Sequence, residues 1–293
     1  MKIGDWFVVP LFEGMMAIDG GAAFGVIPWT DWSEWMAPDA QNRVDLSLCF
    51  FLVQGRGHNL LIDTGFGDKR SLEEMEALGV RKRATTGELL ASVGLNADDI
   101  DTIILTHLHA AHAGGLTRLN AEGAVEPAFP NARIVVQNGE WERSIHTNIR
   151  TRSLYHKEDF EPLLWHRQLD FVDGDEEIFP GIHLRTTGGH TKSHEIVVVE
   201  SEGEGAIFFG DLLPTVHHLR LNAISAYDLY PLVTMEKKAE WLDIALRRSW
   251  MVFFGSDPSI AAAQLSGSVR AAEGVAFEPL LMHPVDEAGI RDS

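Results

Sequence analysis

The chain has 293 residues, 45% of them apolar, which suits one large α/β domain or two small ones around a packed core. Its 24 Lys and Arg stand against 43 Asp and Glu, and the resulting charge of −19 is spread along the chain, so it repels a phosphate backbone and argues against a nucleic-acid partner. No run approaches the roughly 18 apolar residues of a membrane helix, and the single cysteine, Cys49, excludes an internal disulfide and a thiolate metal cluster.

Met1-Lys2-Ile3-Gly4-Asp5 lacks the charged, apolar and small-residue order of a secretory signal, so the expectation is a cytoplasmic protein. Residues 6–10 and 45–53 read as strands, the second an apolar run that buries Cys49. Between them, 11–44 is rich in Gly and Trp and reads as a long connection. Trp29, Trp32 and Trp35, three apart, fit one face of a short helix packed on the core, or an apolar lid or rim over a pocket with Trp29 against the substrate.

His58 to Gly65 is a strand ending in Asp63, whose carboxylate can either accept a hydrogen bond from a metal-ligating imidazole or simply form a turn. Helical periodicity follows over 71–78 and 86–93, the latter opened by a capping box at Thr85-Thr86-Gly87-Glu88. The run Ile103-Ile104-Leu105 stops where His107, His109 and His112 begin, which places three histidines in a loop at a strand end, where open α/β sheets put their chemistry. Neutral imidazole is the commonest protein ligand for transition metals, and His107 and His109 at i and i+2 can converge on one ion. The alternative, surface or capping histidines before a helix starting near His112, would desolvate several imidazoles without partners.

Residues 133–136 read as a strand and 138–145 as a helix, and His146, His156 and His166 beyond them as surface or packing residues. From 171 the chain is strand-rich, at 177–179, 182–187, 196–199 and 206–209. His217 and His218 read as structural, and Tyr227 either hydrogen-bonds a substrate oxygen or packs under a loop. Residues 235–249 form an amphipathic helix with Leu242 and Ala245 inward and Glu236, Lys237, Lys238 and Glu240 outward, followed by a strand at 251–254.

Thr106 to Gly115 resembles the signature of the metallo-β-lactamase superfamily, Thr-His-x-His-x-Asp-His followed by Gly-Gly, with Ala111 where the family has Asp. Further motifs match in family order: the strand ending at Asp63, Gly189-His190-Thr191, and Phe209-Gly210-Asp211. The family's last histidine, in the pattern His-Asp-Pro, is replaced by Ser256 in Gly255-Ser256-Asp257-Pro258. The resemblance covers roughly residues 45 to 285, and after Asp211 it is similar to the subgroup of lactonases and organophosphate or aryl-ester hydrolases.

The resemblance implies an α+β fold, a four-layer αβ/βα sandwich of two mixed β-sheets flanked by helices, formed by residues 1–293 as a single domain. It implies one zinc, or another divalent metal, held by His107, His109, His190 and Asp211, with His112 and Asp211 in catalytic roles. A second metal would be left with His112 and Asp211 alone, too few ligands for tight zinc binding. The expected function is metal-dependent hydrolysis of a small, rather apolar lactone, ester or activated aryl ether. The rival reading is a non-catalytic or weakly active homologue that binds a ligand or supports a metal-competent paralogous subunit. A homo-oligomer or such a hetero-oligomer is left open.

Overall fold

A computed structural model of the chain describes residues 1–270 and 274–283. Residues 271–273 and 284–293, which include the end of the expected domain and of the family resemblance, lie outside the described residues.

Two mixed sheets face one another. In the first, strands Trp6–Asp19, Arg43–Gly55 and His58–Ile62 run antiparallel in sequence, and Thr102–Ile104, Arg133–Gln137 and Leu169–Val172 then add parallel neighbours. The second is a meander of Glu176–Phe179, Ile182–Thr186, Glu195–Ser201 and Glu204–Phe208, continued by Met251–Phe253, Ile260–Gly267 and Val275–Met282.

The apolar run Leu48-Cys49-Phe50-Phe51-Leu52-Val53 shows why the layers form. Cys49, Phe51 and Val53 enter the core between the sheets, while Phe50 and Leu52 face the core under the helices, so the strand is buried on both sides and needs no alternation. Phe51, Phe208 and Phe253 meet between the sheets at centroid distances of 4.6–5.5 Å. The second sheet is covered by helix Pro231–Arg248 and its buried Leu242 and Ala245. The result is the expected four-layer sandwich.

Three expectations need revision. The segment 11–44 is less of a connection than expected: the first strand continues to Asp19, paired with Arg43–Gly55 throughout. Helices Gly20–Phe24 and Trp29–Trp35 follow, packing Phe24 on Trp32 at 5.8 Å. Lys238 is not outward; it is fully buried, and its ammonium donates to Arg220 O at 3.0 Å and Ala223 O at 2.7 Å. Burial brings its pKa down to about 7. A lysine among other charged residues reads as solvated, and only its two backbone acceptors, eighteen and fifteen residues away, explain its direction. The third revision is the start of the short helix after the histidine loop, which begins at Ala110, so His112 lies within it.

Candidate metal centre

All the motif loops reach one edge of the sandwich. Strands His58–Ile62 and Thr102–Ile104 run parallel and end at Asp63 and the histidine loop; Glu204–Phe208 and Met251–Phe253 also run parallel and end near Asp211 and Ser256. Parallel strands deliver their carboxyl ends to one side, which is where a crevice opens. Glu195 N donates to Thr106 O at 3.0 Å, stitching the two sheets beside the centre. Gly114 and Gly115 allow the loop to press on residues 64–66: a Cβ on either would fall 2.2 Å from a carbonyl oxygen of Phe66 or Thr64.

His107, His109, His190 and Asp211 converge, with one donor atom from each within 4.8 Å of the others. His190 Nε2 lies 3.0 Å from His109 Nδ1 and 3.3 Å from Asp211 Oδ2, and His107 Nε2 lies 3.7 Å from the same oxygen. Tetrahedral zinc with ligands at about 2.0–2.2 Å separates its donors by about 3.4 Å, so these spacings bracket what one ion needs. His107 Nε2 is buried without a hydrogen-bond partner, while its Nδ1 lies 3.0 Å from Thr106 Oγ1. A desolvated lone pair aimed at a carboxylate and two imidazoles suits a cation and little else. Burial, then the neighbouring imidazoles, push His107 and His109 well below their ordinary range, which keeps them neutral and ligand-ready.

His112 differs. Its Nδ1 lies 2.7 Å from Asp63 Oδ2 and its Nε2 3.2 Å from Asp211 Oδ1. Burial alone would lower its pKa, but Asp211 and Asp63 outweigh burial and hold it at about 10. Burial would raise Asp211, and His112 and His190 reverse this, holding its carboxyl far below the usual range. Asp63, held at a positive φ of 59°, also accepts from Thr106 N at 2.8 Å, so one carboxylate orients His112 and the start of the histidine loop together.

A cavity of about 430 Å³ opens over the centre, with His109, His112, His190 and Asp211 on its floor and Met16, Ile18, Leu46, Leu48, Phe66 and Leu154 in its wall. Ala111 and Ser256 line it too. Asp257, beside Ser256, accepts from Val216 N, Ser259 N and Ile260 N at 2.8–3.0 Å and is committed to that turn. Tyr227 lines the cavity and is 37% exposed. Trp29 does not: it is 57% exposed, packs edge-on against Trp32 at 6.4 Å, and lies outside the cavity lining. His156 and His218 do reach the wall, and His218 Nε2 lies 3.0 Å from Ala23 O, while His146 and His166 stay at the surface.

Sequence reasoning missed several supports. Glu13, buried in the first strand, accepts from Phe66 N and Gly67 N at 2.7 and 2.9 Å and fixes the turn after Asp63. Its signal was an acid closing the apolar run Val8-Val9-Pro10-Leu11-Phe12. Glu140 accepts from Thr191 Oγ1 at 2.6 Å and Tyr155 Oη at 2.8 Å, tying the His190 loop to a tyrosine whose ring lies 4.7 Å from that of His109. Asp228 holds His190, and its neighbour Tyr227 was the only hint.

Fold and donor set together define the class: an αβ/βα sandwich that gathers a candidate set of metal ligands at its open edge. The chain belongs to the metallo-beta-lactamase superfamily, whose profile matches residues 43–256. The crystal structure of a probable metal-dependent hydrolase from Staphylococcus aureus is 32% identical, with a TM-score of 0.87 over 95% of this chain and 98% of that one. An N-acyl homoserine lactonase of Bacillus thuringiensis subsp. kurstaki is 35% identical over 119 residues, which span 41% of this chain and only 40% of that enzyme. An N-acyl homoserine lactonase of Agrobacterium fabrum is 25% identical over 256 residues, 81% of this chain and 88% of that enzyme. Among the described residues no helix is long and apolar enough to cross a membrane.

Proposed function

We propose that this protein is a single-zinc hydrolase of small, uncharged, fairly apolar lactones or esters. The observation that carries the reading is three imidazoles and a carboxylate gathered on the floor of an apolar cavity whose described lining contains no Lys or Arg. Zinc bound by His107, His109, His190 and Asp211 would polarise a carbonyl oxygen and lower the pKa of a water. Relatives that carry the name lactonase support the same substrate class.

The chain's own groups supply the rest. The apolar wall excludes water and accepts a hydrocarbon substituent. Tyr227 can donate a hydrogen bond to a substrate oxygen from the rim. His112 and Asp211 share a proton across 3.2 Å beside the open part of the cavity, which makes them the groups placed to carry protons to and from the reacting oxygens. Ala111 and Ser256 leave that side without further ligands, and Asp257 is turned away, so the reading is one ion and not two.

An anionic substrate would enter a site with two aspartates and no described cationic side chain other than its histidines, against the field of an acidic protein. Steady-state kinetics on a neutral lactone and a matched ester bearing a free carboxylate should therefore show kcat/KM at least about tenfold higher for the neutral compound, the equivalent of roughly 1.4 kcal/mol. Equal or reversed preference would overturn the assignment of substrate class, and no turnover of any neutral lactone or ester by zinc-loaded protein would overturn the activity itself.

A further inference from the structure

We infer that Asp228 is the positioning residue that puts His190 in its metal-binding form, and that it does so from the same segment that walls the substrate cavity. This rests on the metal centre proposed above and not on the choice of substrate. Asp228 Oδ1 lies 2.6 Å from His190 Nδ1, with both side chains almost fully buried. An aspartate in this contact accepts the hydrogen, so Nδ1 carries the proton and Nε2 presents its lone pair. Nε2 is the atom that faces His109 Nδ1 at 3.0 Å and Asp211 Oδ2 at 3.3 Å. With the proton on the other nitrogen, the ring would aim N–H at the place of the ion.

The backbone holds the same register. Leu229 N donates to His190 O at 3.1 Å and Tyr230 N to Gly189 O at 2.9 Å, so three consecutive residues, 228–230, clamp the loop. A Cβ on Gly189 would lie 2.4 Å from Thr234 Oγ1, at the start of the following helix, so the loop has no slack on that side. The clamp is itself anchored: Ala226 N and Ser225 Oγ donate to Ala22 O, Arg150 donates to Ala226 O at 2.6 Å, and buried Lys238 donates to Ala223 O. Tyr227, in the middle of this segment, lines the cavity. The structure thus gives Lys238 and Asp228 one job between them: the first fixes the segment, and the second fixes the imidazole.

Outer carboxylates of this kind change metal affinity by about 10- to 100-fold when removed. Zinc dissociation constants measured by chelator competition should rise by that factor in Asp228→Ala and by less in Asp228→Asn, whose amide oxygen still accepts from Nδ1–H. Tyr227→Phe should leave zinc affinity unchanged. A cobalt-substituted Asp228→Ala should also show an altered visible spectrum, which a loss of general stability would not produce. If Asp228→Ala does not fold, Asp228→Asn carries the test, with a rise of more than about threefold expected. Zinc affinity within twofold of the parent in the folded variant would overturn the inference. Failure of the parent itself to bind zinc would instead overturn the metal centre.

Discussion

Protein carrying Ala111→Asp together with Ser256→His is expected to bind two zinc ions, against the single ion proposed for the parent. Both positions line the same cavity as His112 and Asp211, so the introduced carboxylate and imidazole would join those two residues in a set of four ligands, with Asp211 shared between the two sites. The His112 to Asp211 contact of 3.2 Å is close enough for both to reach a shared cation. Hydrolysis should rise as well, because a carboxylate at position 111 can orient the attacking water; a positioned general base is worth about 10² to 10⁴ in rate. Plasma emission analysis of dialysed protein and kcat/KM for a neutral lactone read the two effects separately. A second ion with no gain in rate would favour the rival reading, in which this chain serves as a binding protein or as partner to a metal-competent paralogue.

The opposite change, Asp211→Asn, should empty the centre. Asp211 is the one anionic donor among the four proposed ligands and the counter-charge to His112, so the amide would remove a ligand and leave His112 with Asp63 alone. Zinc content should fall below about a tenth of an equivalent, and hydrolysis should drop by at least about 10³, combining lost metal activation with lost proton transfer. Zinc-free protein offers an independent check through pH. The pKa of His112 is raised to about 10 from 6.5, so its stabilisation is complete below about pH 6.5 and fades as the pH rises towards 10. Asp211 is lowered from 3.8, so its stabilisation is present above that value and is lost in stronger acid. The pair therefore contributes most between about pH 4 and 6.5 in the parent, and thermal melts of Asp211→Asn should show a smaller gain across that window, since only Asp63 then raises His112.

Much of the centre was legible because its chemistry is local in sequence. The histidine density at 107–112, the strand run before it and the glycine pair after it announce a metal loop without any tertiary information. His190 and Asp211 were reachable only through the family resemblance, since nothing in their own surroundings distinguishes a ligand from a core histidine or a turn aspartate. The supports were hidden for a physical reason. Glu13, Glu140, Asp228 and Lys238 act across 15 to 54 residues of chain, through hydrogen bonds whose partners are backbone groups or side chains brought near only by the fold. Periodicity assigns Lys238 to the solvent, and burial with two backbone acceptors is what reverses the assignment. The tryptophans divide between their two readings: the short helix forms and packs Trp32 into the core, while Trp29 stays outside the cavity wall and does not take the place against the substrate that the lid reading gave it.

On the proposed function, residues from both halves of the chain hold one catalytic ion. Crystals of the purified protein measured on both sides of the zinc absorption edge would show this directly. The expected result is a single anomalous peak among His107, His109, His190 and Asp211, about 2.0–2.2 Å from each donor atom, and no peak between His112 and Ser256. No peak at those four residues, or two ions of equal occupancy, would contradict it.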